Sequence, residues 1–130
     1  MGVALAPGTW FEKARIAVGA ARVLLDAGNL PGMANRAYYG LFAWVTGVLL
    51  EMGLEAPPRH GNWPHEAMPW LIRRHCRPSA LRQTAMDLWD GLYRARVLAD
   101  YDDHALLDGK ILELWLRRLQ GVVGSDWRGF

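Results

Sequence analysis

Between Ala37 and Leu50 the chain carries no charged side chain. Pro31, a residue suited to a first helical turn, precedes this stretch, and Gly53 follows it. The spacing predicts a helix from about Pro31 to Met52. On it Tyr38, Leu41, Phe42, Val45, Val48, Leu49 and Met52 leave no polar face. A helix apolar almost all round must be surrounded by other elements or by lipid. The longest apolar run, Leu41–Leu50, is broken by Thr46 and glycine and is too short for a bilayer. This helix is therefore expected at the centre of a protein core, away from any membrane.

The flanking sequence supplies the surrounding helices. Thr9–Glu12 has the pattern of a capping box. It opens a first helix whose stripe is Trp10, Ala14, Ala17, Ala21 and Leu24, with Gly28 as its stop. Glu55–Trp63 holds Pro57, Pro58 and Gly61 and reads as a loop. A third helix is expected from Pro64 to Cys76, kinked or split at Pro69. A fourth runs from Ser79 to about Ala99 on the stripe Leu81, Ala85, Leu88, Leu92, Arg96 and Ala99. A last helix is expected from near Asp103 to Gly121, with Leu107, Ile111, Leu114, Trp115 and Val122 inward. Ser125–Phe130 reads as a loose tail. The expected fold is all-α: an antiparallel up-down bundle of four helices plus one short helix. One domain would span residues 9–122, with 123–130 as the C-terminal tail.

At 130 residues the chain is long enough to bury a core without disulfides, and Cys76 is its one cysteine. That suits a reducing cytoplasm. The N-terminus shows no basic segment before an apolar one, so no signal peptide is expected. Net charge is only +2, and the cations are almost all arginine, the side chain suited to phosphate and carboxylate.

Charged groups inside apolar stripes are the candidate functional residues. Arg96 sits where its stripe asks for a hydrophobe, and Asp100 lies one turn on, on the same face. On an exposed helix such a pair contributes about 0.3–0.5 kcal/mol. It either fastens the helix end or presents a guanidinium to an anion. Asn35, Arg36, Tyr38 and Tyr39 lie on the central helix; the two tyrosines point about 100° apart, so one belongs to the core. Gly40 permits close approach of a backbone or ligand. His60, His65, His75 and His104 fit no zinc spacing, and neither a metal nor another cofactor is implied. Arg73, Arg74, His75, Arg77 and Arg82 form a basic run, read either as a solvated face or as a steering surface for an anionic strand or acidic partner. No glycine-rich phosphate loop, metalloprotease helix or nucleophile elbow is present.

Three segments together resemble the HEPN domain family, small helical proteins of bacteria, archaea and some eukaryotes. They are Asn35–Phe42 on the second helix, His60-Gly61 after the proline-containing loop, and Arg96–Tyr101 at the end of the fourth. The resemblance spans roughly Thr9 to Val122. It implies an antiparallel four-helix bundle, often a homodimer. Many relatives are metal-independent ribonucleases, and many are toxins paired with a small nucleotidyltransferase antitoxin. Their catalytic pattern is an arginine, four to six residues, then a histidine. Arg96 and His104 are the corresponding pair here and depart from that pattern, with seven residues between them, one more than it allows.

The resemblance thus implies two functions. In the first, Arg96 stabilises charge on a scissile RNA phosphate and His104 moves the proton, positioned by Asp100 or Tyr101. In the second, Arg36, Tyr39, Arg96 and Asp100 line a non-catalytic RNA- or nucleotide-binding groove between helices two and four, in concert with a nucleotidyltransferase. A third reading makes these polar groups purely structural, in a helical interaction protein. A homodimer is expected from the same resemblance and from the apolar surplus of the second helix.

Overall fold

The computed structural model describes residues 5–58, 61–101 and 106–130, and no strand occurs among them. Five helices follow in order: α1 (Pro7–Asp26), α2 (Leu30–Glu51), α3 (Met68–His75), α4 (Ser79–Asp100) and α5 (Gly109–Val123). Short 3-10 turns cover His65–Ala67 and Trp127–Gly129. None of the described helices is long and apolar enough to cross a membrane.

Local chemistry sets most boundaries. Helix α1 starts two residues before Thr9. Pro7 takes the first turn with Ala6 before it, and no side chain caps the end. The capping box expected at Thr9–Glu12 is therefore not formed, and Glu12 pairs with Arg15 instead. At the other end Gly28 adopts φ +78°, the left-handed geometry that closes a helix cheaply only for glycine. Asn29 then caps α2 by accepting from the Gly32 amide at 3.0 Å. Pro69 splits the third segment as expected: a 3-10 turn precedes it, and α3 carries it in its first turn.

Helix α2 is the centre of the molecule. Met33, Leu41, Val45, Val48 and Leu49 have no exposed surface at all. Burial of each large side chain contributes roughly 1.5–3 kcal/mol. Helix α1 lies closest. A Cβ on Gly40 would stand 3.0 Å from Val18 and 3.5 Å from the Ala14 carbonyl, and one on Gly47 would stand 2.7 Å from the Phe11 ring. As α2 advances, its neighbours on α1 recede in sequence, so the two run antiparallel. Helix α4 covers another side of α2 with Leu81, Ala85, Leu88 and Leu92. Helix α5 runs antiparallel to α4, with Trp115 against Gly91 and Arg118 near Asp87. It closes onto α1 through Arg22, which donates to Glu113 at 2.8 and 2.6 Å and to Gln120 at 3.1 Å. That guanidinium holds the Glu113 carboxyl below its usual range.

Three expectations are corrected. The described part of α5 starts at Gly109, capped by Asp108, whose carboxylate accepts from the Lys110 amide at 2.8 Å; Asp103 lies outside the described residues. Its register also differs. Leu112, Leu116, Leu119 and Val123 are buried, while Ile111 and Leu114 face out. The segment holds two overlapping apolar stripes, and the one through Ile111 and Trp115 runs into Arg118 a turn later. The leucine stripe continues without a charge, so it takes the core. Lastly, the end of the chain is packed rather than loose. Trp127 Nε1 donates to Glu51 at 2.7 Å, and the Phe130 ring lies 6.4 Å from that of Trp44.

The apolar surplus of α2 is used up inside one chain. The large hydrophobic side chains left exposed lie elsewhere, among them Ile16 and Val23 on α1 and Ile111 and Leu114 on α5.

Candidate functional site

Arg96 does not extend into solvent. Its guanidinium carbon lies 4.8 Å from the centre of the Tyr38 ring, and its Nε lies 3.6 Å from Asp100. The first contact is a cation–π arrangement between α4 and α2. The second is at ion-pair distance, longer than a hydrogen bond. With 37% of its side chain exposed, Arg96 is held by these two contacts and still partly open to the cleft.

Tyr38 is the node of the cluster. It is the tyrosine of the Tyr38-Tyr39 pair that enters the core, at 2% exposure. Its ring lies 5.1 Å from that of Trp89 and 6.0 Å from that of Tyr93. Its hydroxyl shares a 2.9 Å hydrogen bond with His65 Nδ1. His65 comes from the 3-10 turn before α3 and is stacked flat on Phe42, with ring centres 4.2 Å apart and planes 6° apart. Phe42 is one turn beyond Tyr38 on α2, so a single helix face supplies both supports.

Burial pushes the Tyr38 hydroxyl above its ordinary range, and Arg96 opposes the shift. The hydroxyl therefore stays protonated at neutral pH. Burial also pushes His65 down, helped by the Arg96 cation and opposed by Glu66. His65 is thus neutral at pH 7 and available to accept a proton. A cleft of about 660 Å³ opens beside these groups. His65, Glu66, Arg73, Asp90, Tyr93 and Arg96 supply its polar lining.

The His65 shift has a consequence for stability. The unfolded chain takes up the proton at a higher pH than the folded one. His65 therefore contributes stability above the unfolded value near 6.5, and this contribution is lost as pH falls below it. In urea titrations from pH 7 to pH 5, wild type should lose more stability than His65→Gln. Parallel profiles would refute a neutral, half-buried His65.

The residues expected at the site separate into two groups. Arg96 lines the cleft, and Asp100 pairs with it from outside the cleft wall. Arg36 is exposed on α2, two residues and some 200° from Tyr38. Tyr39 is half-buried, its ring 6.4 Å from that of Phe42, and lines no part of this cleft. Tyr101 closes α4 with 75% of its surface exposed. His104 and His60 lie outside the described residues. The sequence singles out neither Tyr93 nor Glu66; it offers His65 only as a metal ligand and Arg73 only as part of the basic run. The available signal for His65 was its place after Trp63-Pro64 and just ahead of the apolar Met68–Ile72, which puts a loop histidine against the core.

An up-down helical bundle with an aromatic-walled cleft of mixed charge, between α4, α3 and the turn before α3, defines a compact class of helical domain. The chain belongs to the HEPN domain family, whose sequence profile matches residues 8–123. It is also similar to a UPF0332 protein of Thermotoga maritima. The two are 23% identical over 116 residues, covering 89% of this chain and 84% of the relative. No solved structure gives a significant match.

Proposed function

We propose that the Arg96 cleft binds the phosphate of single-stranded RNA or of a nucleotide, making this protein an RNA-binding HEPN module. The carrying observation is Arg96, partly exposed on the cleft wall, its guanidinium held in place by the Tyr38 ring and only loosely by Asp100. An anion entering the cleft meets a cation whose orientation is already fixed, which lowers the entropy lost on binding. Tyr93, about half exposed beside it, offers a face on which a base can stack. Asp100 and Tyr101 stand at the same helix end. In this reading Arg36 and Tyr39 contribute at the surface of α2 rather than inside the cleft.

Fluorescence anisotropy with a labelled single-stranded RNA tests this reading. Arg96→Ala should weaken binding by at least about tenfold, in line with a charged hydrogen bond worth roughly 1.5–3 kcal/mol, with the melting temperature little changed. Equal affinity of wild type and variant would overturn it.

A second reading is favoured by neutral His65 on the same cleft wall as Arg96. In it the protein cuts RNA without a metal. A histidine, His104 or His65, takes the proton of a 2′-hydroxyl, whose oxygen attacks the adjacent phosphorus. The P–O5′ bond breaks, the departing 5′-oxygen takes back the proton the histidine holds, and the products are a 2′,3′-cyclic phosphate and a free 5′-hydroxyl, with Arg96 balancing the charge that builds on the phosphate. RNA from the same titrations, held in excess chelator, separates the two readings. Intact RNA favours the binding module, and cleavage lost in Arg96→Ala favours the nuclease. Either reading admits a homodimer, with Ile111 and Leu114 as apolar surface for a second copy. Each also admits a small nucleotidyltransferase as controlling partner and the cytoplasm as setting.

A further inference from the structure

The cations of this chain are not evenly matched with carboxylates. Arg15, Arg22, Arg96, Arg117, Arg118 and Arg128 each have an acidic partner. Arg73, Arg74 and Arg77 have none among the described residues. All three stand at the C-terminal end of α3, around Trp70. Trp70 is 57% exposed, although six other tryptophans in the chain were available to fill the core. Arg74 places its guanidinium carbon 5.4 Å from the indole centre, and the His75 ring stands edge-on at 6.0 Å. Trp70, Arg73, Arg74, His75 and Arg77 line one open depression of about 600 Å³, with no carboxylate in its wall.

The negative end of the helix dipole accounts for basic residues in the last turn of α3. It does not account for Trp70, which sits in the first turn with its ring in water. An exposed indole framed by guanidinium groups with no acidic partner among the described residues, of which Arg77 donates to the Cys76 carbonyl at 3.0 Å, has the two parts that bind a single strand: a stacking surface for a base and cations for the flanking phosphates. Arg73 lines both this depression and the Arg96 cleft. The two surfaces therefore adjoin at one arginine.

We infer that Trp70, Arg73, Arg74 and Arg77 form a second RNA subsite, on which a strand entering the Arg96 cleft continues and stacks one base. This inference rests on the RNA-binding reading of that cleft and adds its extent and the chemistry of its exit. Arg73 bridges the two subsites, and Trp70 supplies the stacking face.

The experiment compares a labelled dinucleotide with a labelled decanucleotide of single-stranded RNA, on wild type, Trp70→Ala, Trp70→Phe and Arg96→Ala. Trp70→Ala should weaken decanucleotide binding about tenfold and leave dinucleotide binding unchanged. Trp70→Phe should restore most of the loss. In Arg74→Ala the slope of log affinity against log salt should fall by about 0.7, the value for one single-strand phosphate contact. Trp70 lies outside the core, so both Trp70 variants should melt like wild type. Decanucleotide binding that is indifferent to Trp70→Ala overturns the subsite, whatever Arg96→Ala does. Sensitivity to Trp70→Ala with indifference to Arg96→Ala upholds the subsite and overturns the cleft reading. Polyglutamate displacing the decanucleotide as well as unlabelled RNA does would reduce the surface to a general anion patch and overturn the inference.

Discussion

Replacing Phe42 by alanine is expected to lower the unfolding free energy by about 3–5 kcal/mol. Phe42 is 2% exposed, and its ring meets three aromatic neighbours: Trp10 edge-on at 6.3 Å, Tyr39 at 6.4 Å and His65 face to face at 4.2 Å. The helix that carries it is enclosed, so the surrounding backbone has little freedom to collapse into the void. The melting temperature should fall by roughly 10–20 °C for a chain of this size. The same truncation removes the surface on which His65 lies flat. RNA affinity measured well below the lowered melting point should therefore fall as well. Phe42→Leu, which keeps apolar volume but not the flat face, should recover stability more than affinity. A stability change below about 1 kcal/mol for the alanine variant would contradict the packing described.

Gly40→Leu should cost at least about 3 kcal/mol, at the upper end of overpacking penalties. A Cβ at this position already stands 3.0 Å from Val18 and 3.5 Å from the Ala17 Cβ and the Ala14 carbonyl. The further atoms of leucine would have to displace α1 itself. Gly40→Ala behaves differently. Alanine gains about 1 kcal/mol of helix propensity over glycine, and its one tight contact is with a valine methyl that can shift slightly. The alanine variant is expected near wild-type stability. Denaturant melts of the pair check the argument, because a tolerated leucine would mean that α1 is not held against α2 at this point.

The central position of α2 was legible because a charge-free helical stretch has few places to go in water. The Arg96–Asp100 pair was legible because both residues share one helix and their relative direction follows from the helical repeat. The partners of Arg96 were not. Tyr38 meets Arg96 only after α2 packs on α4, and His65 reaches Tyr38 across 27 positions of sequence. Periodicity placed one tyrosine of the Tyr38-Tyr39 pair in the core, but which of them faced α4 depended on the packing. The register of α5 was ambiguous for a different reason: two apolar stripes coexist in one amphipathic segment, and only the competing demand to keep Arg118 in water selects between them. At Thr9 a good capping pattern lost to Pro7, whose fixed φ starts the helix earlier without needing a side-chain cap. The closing turn was underestimated because Trp127 and Phe130 act through contacts with α2, not through local periodicity.

The enclosure of α2 also bears on how the chain is made. Synthesis proceeds from the N-terminus, and segments fold as they emerge. The α1–α2 hairpin is complete at Glu51, and its tight turn at Ala27–Asn29 lets it form at once. At that stage only α1 shields α2. The α4 side chains that cover another face arrive from Leu81 onward, and Glu113, which latches α5 to Arg22, comes near the end. The most water-averse segment of the protein is therefore finished early and fully sheltered only late, so the nascent chain presents a greasy helix face to the ribosome surface and to chaperones until α4 emerges.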